Sequence, residues 1–290
     1  MEYFISLAVL VGIYITLSSS FNLIIGFGGL VSIAHPIFFA LGAYTTGLLA
    51  IHFQMHPVLA VLAGGGVAFL SSMMLSLPSL RISGDYLMIT SIGFQLGLLE
   101  VIKHLSVTGG ASGLGNIPNI VEGSSRSTLF ALVSCAIAAV VVLAIRWLLN
   151  GPYGRVIAAM RDDELAFSAL GRNAMMIKLS LFAIGSGFAG IAGGIYAYYY
   201  QYISPDQFEI LQSAMLLTMV VVGGMGSQLG PVVGSILLLL LPQAISFLNL
   251  PPSVMAPLQG VIYTSLVIVF LFWRPQGLIA PSQRQSAKEA

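Results

Sequence analysis

Between Arg155 and Lys178 the chain gathers Arg155, Arg161, Asp162, Asp163, Glu164, Arg172 and Lys178, one third of its 21 charged side chains, into 24 residues. Gly151 and Pro152 break the apolar run before them. Residues 155–161 and 163–170 then read as two short helices, with Asp162 as N-cap and Gly171 as the stop. Their apolar faces are too short to cross a bilayer. Such helices either lie on a membrane surface or set an apolar face into a partner's groove while charges fix the register.

A second group lies in the 22–36 stretch, Asn-Leu-Ile-Ile-Gly-Phe-Gly-Gly-Leu-Val-Ser-Ile-Ala-His-Pro, where polar and helix-breaking residues interrupt membrane-level sequence. Irregular backbone at that depth is tolerated only inside protein or along a watery path, where free N–H and C=O groups can meet a carboxylate or an ammonium. His35 could add a hydrogen bond or be a buried, satisfied core histidine. Asn22, Gly28, Ser32, His35, Asp85, Thr90 and Gln95 are the candidate path residues.

Other ionisable residues have local readings. Glu100 with Lys103, and Arg81 with Asp85, can each neutralise one another on a helix face. Ser204, Pro205 and Gln207 form a capping box that explains Asp206 as part of a helix start. His52 and His56 are four apart but fall in a short turn before Pro57, which favours solvated loop histidines over metal ligands. There is no Walker A lysine after the glycine-rich 108–115 stretch, no GxSxG, no HExxH and no CxxC, so ATP hydrolysis and the usual hydrolase and zinc chemistry are not expected here. The lone Cys135 closes no disulfide within the chain.

These groups need elements to position them, and the composition says which. Of 290 residues 57% are hydrophobic and 7% charged, with mean hydropathy +0.96, against about 25% charge in soluble domains. The solvent is lipid. A net charge of +1 gives no basic stripe for nucleic acid. The expected fold is all-α and polytopic, one transmembrane domain over 1–290, with spans near 3–26, 31–51, 57–78, 85–104, 127–149, 176–201, 207–226, 229–248 and 254–273. Glycines at 26–30 and 223–230 could mark turns or re-entrant breaks, which makes the count eight or nine. Ser186/Gly190/Gly194, Gly226/Gly230/Gly234 and Gly93/Gly97 let helices approach closely, with packing inside one subunit favoured over a subunit interface.

Lys and Arg collect in cytoplasmic loops, which assigns 150–175, Arg81 and the 274–290 tail to the cytoplasm, and Met1-Glu2 and the 105–126 loop to the outside. Trp147 and Trp273, with the tyrosines of 196–202, read as interfacial belts. A cleaved signal peptide ending near Ser18-Ser19-Ser20 is disfavoured because Glu2 stands where a positive n-region belongs.

Asn22 to Tyr44, Arg81-Ile-Ser-Gly-Asp-Tyr-Leu-Met-Ile-Thr90, Thr108-Gly109-Gly110 with Gly113-Leu114, Gly154-Arg155 through Gly171, Ser204-Pro205, and Gly223-Gly224-Met-Gly226-Ser-Gln-Leu-Gly230-Pro231 resemble the LivM-type permease subunits of ATP-binding-cassette importers for branched-chain amino acids. The resemblance implies that the charged loop is the coupling segment seated in an ATPase, with Arg155, Met160, Arg161, Asp162, Asp163, Glu164, Ala166 and Gly171 as its candidate residues. Glu164 and Gly171 are seven apart where the family's EAA loop has six, and Leu165 replaces the first alanine. The resemblance further implies a LivH-like second permease, two ATPase subunits and an outer substrate-binding protein. ATP with Mg²⁺ would be bound by those ATPases, this chain carrying no cofactor. It also implies a multi-pass place in a bacterial inner membrane, and as cargo leucine-like or other amino acids, amides or urea. The alternative is a carrier driven by an ion gradient, with Asp85 or Glu100 coupling protons.

Overall fold

Hydrocarbon offers no partner to a backbone N–H or C=O, so each apolar run closes its own hydrogen-bond ladder as a helix. In the computed structural model the described residues are 2–79, 85–120, 125–246 and 277–280, with scattered positions between 258 and 272. They form α1 (Glu2–Asn22), α2 (His35–Phe53), α3 (Pro57–Ser79), α4 (Asp85–His104), α5 (Arg126–Asn150), α6 (Pro152–Asp162), α7 (Glu164–Ala169), α8 (Ala174–Tyr200), α9 (Ile210–Gly223) and α10 (Gly230–Ser246). A π-helical turn, Leu23–Phe27, prolongs α1. Six of the helical stretches are long and apolar enough to cross a membrane, and the chain is an all-α polytopic membrane protein.

The expected second span starts four residues late, because Pro36 belongs in the first turn of a helix and sets α2 to open at His35. The expected seventh span shrinks to 14 residues, and the eighth is described as helix from Gly230 to Ser246. At Ser204 the capping box is present, but it closes only a 3₁₀ turn, Pro205–Phe208, before α9 opens at Ile210. The expected ninth span falls largely, and Arg81 and Trp273 entirely, outside the described residues.

Helices in lipid gain little from hiding apolar surface, so they associate by close packing. Here glycine supplies it. A Cβ on Gly42 of α2 would overlap the backbone of Gly190 on α8, one on Gly193 would overlap the Phe39 carbonyl, and one on Gly64 of α3 would meet the Gly42 oxygen at 2.6 Å. Thus α2, α3 and α8 touch backbone to backbone. Gly190, Gly194, Gly230 and Gly234 all pack within the chain, as the sequence predicts. Gly93 and Gly97 do not: among the described residues no atom lies within 4 Å of a Cβ built on either, so no described element covers this face of α4.

The topology repeats one device in opposite directions. Helix α1 runs toward the charged elbow (residues 151–173), breaks at 28–34, and the chain returns as the α2–α3 hairpin; α8 runs away from the elbow, breaks at 201–209, and returns as α9–α10. Each long helix then packs on the other's hairpin, α8 on α2 and α3, α1 on α9 and α10, while α5 covers another face of α1. Broken helices in opposed repeats are a transporter device.

Two expectations from the sequence are corrected, the Glu100–Lys103 pair and the tyrosine belt. Lys103 bonds Glu209 at 3.1 Å and Asp206 at 3.4 Å across the 201–209 break, not Glu100. Glu100 instead meets His104, four residues on, at 3.3 Å. Of the tyrosine belt, Tyr200 and Tyr202 are exposed as expected, but Tyr196 and Tyr198 are buried, Tyr196 edge-on to Phe39 at 5.3 Å.

Candidate coupling elbow and substrate path

The elbow folds back on the bundle because Pro152 sits in the first turn of α6 and Gly154 lets that turn lie against the Leu149 carbonyl, where any Cβ would clash. Three apolar anchors, Ile157, Met160 and Phe167, are buried. Asp163, not Asp162, is the cap: its backbone is extended (φ −152) and its Oδ1 accepts from the Ala166 N–H at 2.9 Å, while Asp162 ends α6. The carboxylate two residues before Leu165 thus bonds an orphan N–H of the first turn. Gly171, at φ +76, stops the chain after α7, and Asn173 caps α8 by accepting from Met176 N–H at 3.2 Å.

Two charged contacts fasten this elbow to the long helices. Arg161 Nη1 donates to the Gly26 carbonyl at the end of α1, at 2.8 Å. Lys178 Nζ on α8, its side chain only 9% exposed, lies 2.5 Å from Glu164 Oε1. Tyr153 of α6 also hydrogen-bonds Ser180 of α8. The opposite side of the elbow is bare. Arg155, Asp162 and Ala166 are exposed, and so are Leu165 and Leu170, at 84% and 81%.

The candidate path residues divide into two places. On the elbow side, Asn22 is buried and spent as a clamp: its Nδ2 donates to Ser227 O at 2.8 Å and its Oδ1 accepts from Gly226 N–H at 2.9 Å. Gly28 is held close to the Ile24 carbonyl. Replacing Asn22 with leucine leaves a buried N–H and a buried C=O unpaired, at roughly 1–3 kcal/mol each. The expected result is a lowered unfolding temperature of the purified protein in detergent, read by the loss of helical circular dichroism.

Deeper in, Ser32 Oγ accepts from Ala34 N–H at 3.3 Å, a local turn just before α2. His35 is buried, with Nε2 2.9 Å from Ser20 Oγ, its ring against Phe21, and Nδ1 without a partner. Gln95 of α4 joins the two breaks. Its Nε2 donates to Phe208 O at 3.1 Å and its Oε1 accepts from Ser213 Oγ at 3.0 Å. Ser213 Oγ also lies 2.9 Å from Ile33 O, and Ser91 Oγ accepts from Ile33 N–H at 2.9 Å. Thr90 is half-exposed and donates back to Tyr86 O. Asp85 opens α4, but its side chain lies outside the described residues.

Sequence reading named Gln95 but missed Ser91 and Ser213, which complete the joint. The signal was present in Ser91 and Gln95, four apart and so on one face of α4. At the far side the 105–120 loop is strapped over the second break: Leu114 and Ile203 exchange backbone bonds of 2.8 and 2.9 Å, and Tyr202 OH donates to Ser112 O at 2.7 Å. Residues 278 and 279 pair with the carbonyls of Val222 and Gly223 at the elbow end of α9.

This arrangement has relatives. A family model described as the permease component of the branched-chain amino acid transport system matches residues 3–271. The high-affinity branched-chain amino acid transport system permease protein LivM of Escherichia coli is 31% identical, the alignment covering 97% of this chain and 71% of that one. Its Salmonella typhimurium counterpart is 30% identical with the same coverage. A probable branched-chain amino acid transport permease protein LivM of Methanocaldococcus jannaschii is 29% identical over 77% of this chain and 68% of its own length. No solved structure matches. With matching residues running through both breaks and the elbow between them, the chain belongs to the permease component family of the branched-chain amino acid transport system.

Proposed function

We propose that this chain is one of two permease subunits of an ATP-driven importer for branched-chain or related amino acids. The observation that carries the reading is the elbow: its inner face is anchored by Ile157, Met160 and Phe167, while Leu165 and Leu170 on its outer face have nothing over them. Two large side chains bared to water outside the spans fit a groove on a partner. In an importer that partner is the ATPase, on the cytoplasmic side where the charge-dense elbow belongs.

The second permease packs on the open face of α4, where Gly93 and Gly97 leave room for a close helix. A substrate-binding protein docks on the far side, over the loop strapped to the second break. Substrate passes between the permeases, and the Gln95 joint between the two breaks is where this chain opens. Leucine uptake into vesicles holding the full complex tests the reading. Uptake that requires internal ATP and the ATPase subunits is expected. Equal flux through this chain alone, without ATP, would establish the gradient-driven carrier instead.

A further inference from the structure

Besides its apolar anchors and the Tyr153–Ser180 bond from α6 to α8, the elbow reaches the long helices through one charged residue on each arm, Arg161 toward α1 and Glu164 toward α8. Arg161 stands in the last turn of α6 and lies in a notch made by glycines. Its guanidinium donates to Gly26 O at 2.8 Å, its stem lies 3.1 Å from where a Cβ on Gly29 would stand, and Nη1 lies 3.6 Å from the same position on Gly226. Gly29 and Gly226 have φ of +67 and +74, a conformation that disfavours any side chain, and at Gly29 the Arg161 stem crowds the space as well. Glu164 opens α7 and meets Lys178, a lysine that is buried in the first turns of α8. Between the arms stands Asp163, extended and non-helical, the one joint of the elbow.

Helix α1 packs on α9 and α10, α8 packs on α2 and α3, and the two long helices also pack on each other. Hydrogen bonds of Gln95, Ser91 and Ser213 with Ile33 and Phe208 tie the two breaks together. A displacement of the elbow reaches the end of α1 through Arg161 and the start of α8 through Glu164. A direct charge-assisted bond is a stiff link for such a displacement, and a mobile apolar contact is not.

We propose that Arg161 and Glu164 are positioning residues which carry displacement of the elbow into α1 and α8, and that they do not hold the ATPase. The proposal rests on the importer reading and divides its coupling segment into two tasks. Leu165 and Leu170, which make no contact with the bundle, bind the engine; Arg161 and Glu164, themselves exposed but bonded inward to Gly26 and Lys178, transmit its stroke. The sequence places Arg161 and Glu164 in one coupling set with Arg155 and Asp162 and leaves Leu165 and Leu170 out of it, because nothing in the spacing shows which side chain bonds inward.

The test uses the full complex with its second permease, ATPases and binding protein, reconstituted in vesicles, measuring labelled leucine moved and ATP hydrolysed. For Arg161→Gln and for Glu164→Gln, the ATPases are expected to co-purify as in wild type and hydrolysis to stay within about twofold. Leucine moved per ATP is expected to fall about tenfold, the scale of one lost charge-assisted hydrogen bond. Exchanging the pair, Glu164→Lys with Lys178→Glu, is expected to restore most of that ratio, which a docking role for Glu164 would not do.

An unchanged ratio in both glutamine variants overturns the proposal. So does loss of the ATPases from either variant, since that makes these residues part of the docking face. Failure of the wild-type complex to couple leucine movement to ATP would overturn the importer reading instead.

Discussion

Replacing Gly42 with valine is expected to leave almost no assembled protein in the membrane, whereas Gly93→Val is expected to leave the isolated chain as stable as wild type. The two residues look alike in sequence, each a glycine inside an apolar run. Their surroundings differ. A Cβ on Gly42 would overlap the backbone of Gly190, and the neighbours there are themselves glycine backbone, with no side chain that can rotate away. Relief requires moving α8 off α2, which also strips α3 of its contacts through Gly64, Gly65 and Gly190.

Overpacking a tight core costs about 1–3 kcal/mol where side chains can adjust. A clash of backbone on backbone exceeds that and takes up much of the roughly 5–15 kcal/mol that holds a domain folded. At Gly93 nothing among the described residues lies within 4 Å of an added Cβ. The measurement is the yield and thermal unfolding of each variant in detergent. If the second permease packs on α4, Gly93→Val should show its defect only when the pair is assembled, as lost co-purification of the two permeases.

The second large effect is at the outer face of the elbow. Changing Leu165 and Leu170 together to aspartate is expected to abolish co-purification of the ATPases and to reduce ATP-dependent leucine uptake to below about a tenth of wild type. Anchors that fill a partner's pocket commonly contribute about 2 kcal/mol or more each, and a carboxylate in such a pocket adds a desolvation cost. Both side chains are exposed in this chain, so the substitutions have no reason to disturb the fold. The circular dichroism and melting temperature of the isolated permease should not change. Parallel loss of folding would instead mean that the two leucines pack on the bundle.

The long helices were legible because the bilayer imposes a length and an apolar composition that few other structures need. The elbow was legible because charge is rare in this chain and crowds there. What the sequence hid is how distant residues pair. Lys103 chose Glu209 and Asp206 over Glu100 because the second break folds back beside the end of α4, and no local spacing announces that fold.

The N-cap of α7 was misread by one residue, since Asp162 and Asp163 are equally suited by type and only the backbone decides between them. Asn22 was correctly singled out as a polar residue at membrane depth. Its partners, Gly226 N–H and Ser227 O, are backbone groups more than two hundred residues away, and backbone groups leave no signature in side-chain types. Gly93 and Gly97 have the spacing of a packed face, and only the structure distinguishes a glycine that is covered from one that waits for a neighbour.

The account stands or falls on which compartment the elbow faces and what covers it there. With Cys135 changed to serine, Leu170→Cys places the only thiol on the elbow's bare face. A membrane-impermeant maleimide should label it in inside-out vesicles that lack the ATPases, fail to label it in right-side-out cells, and lose access when the ATPases are bound. Labelling from the outside, or labelling in inside-out vesicles that bound ATPase does nothing to block, would contradict the account.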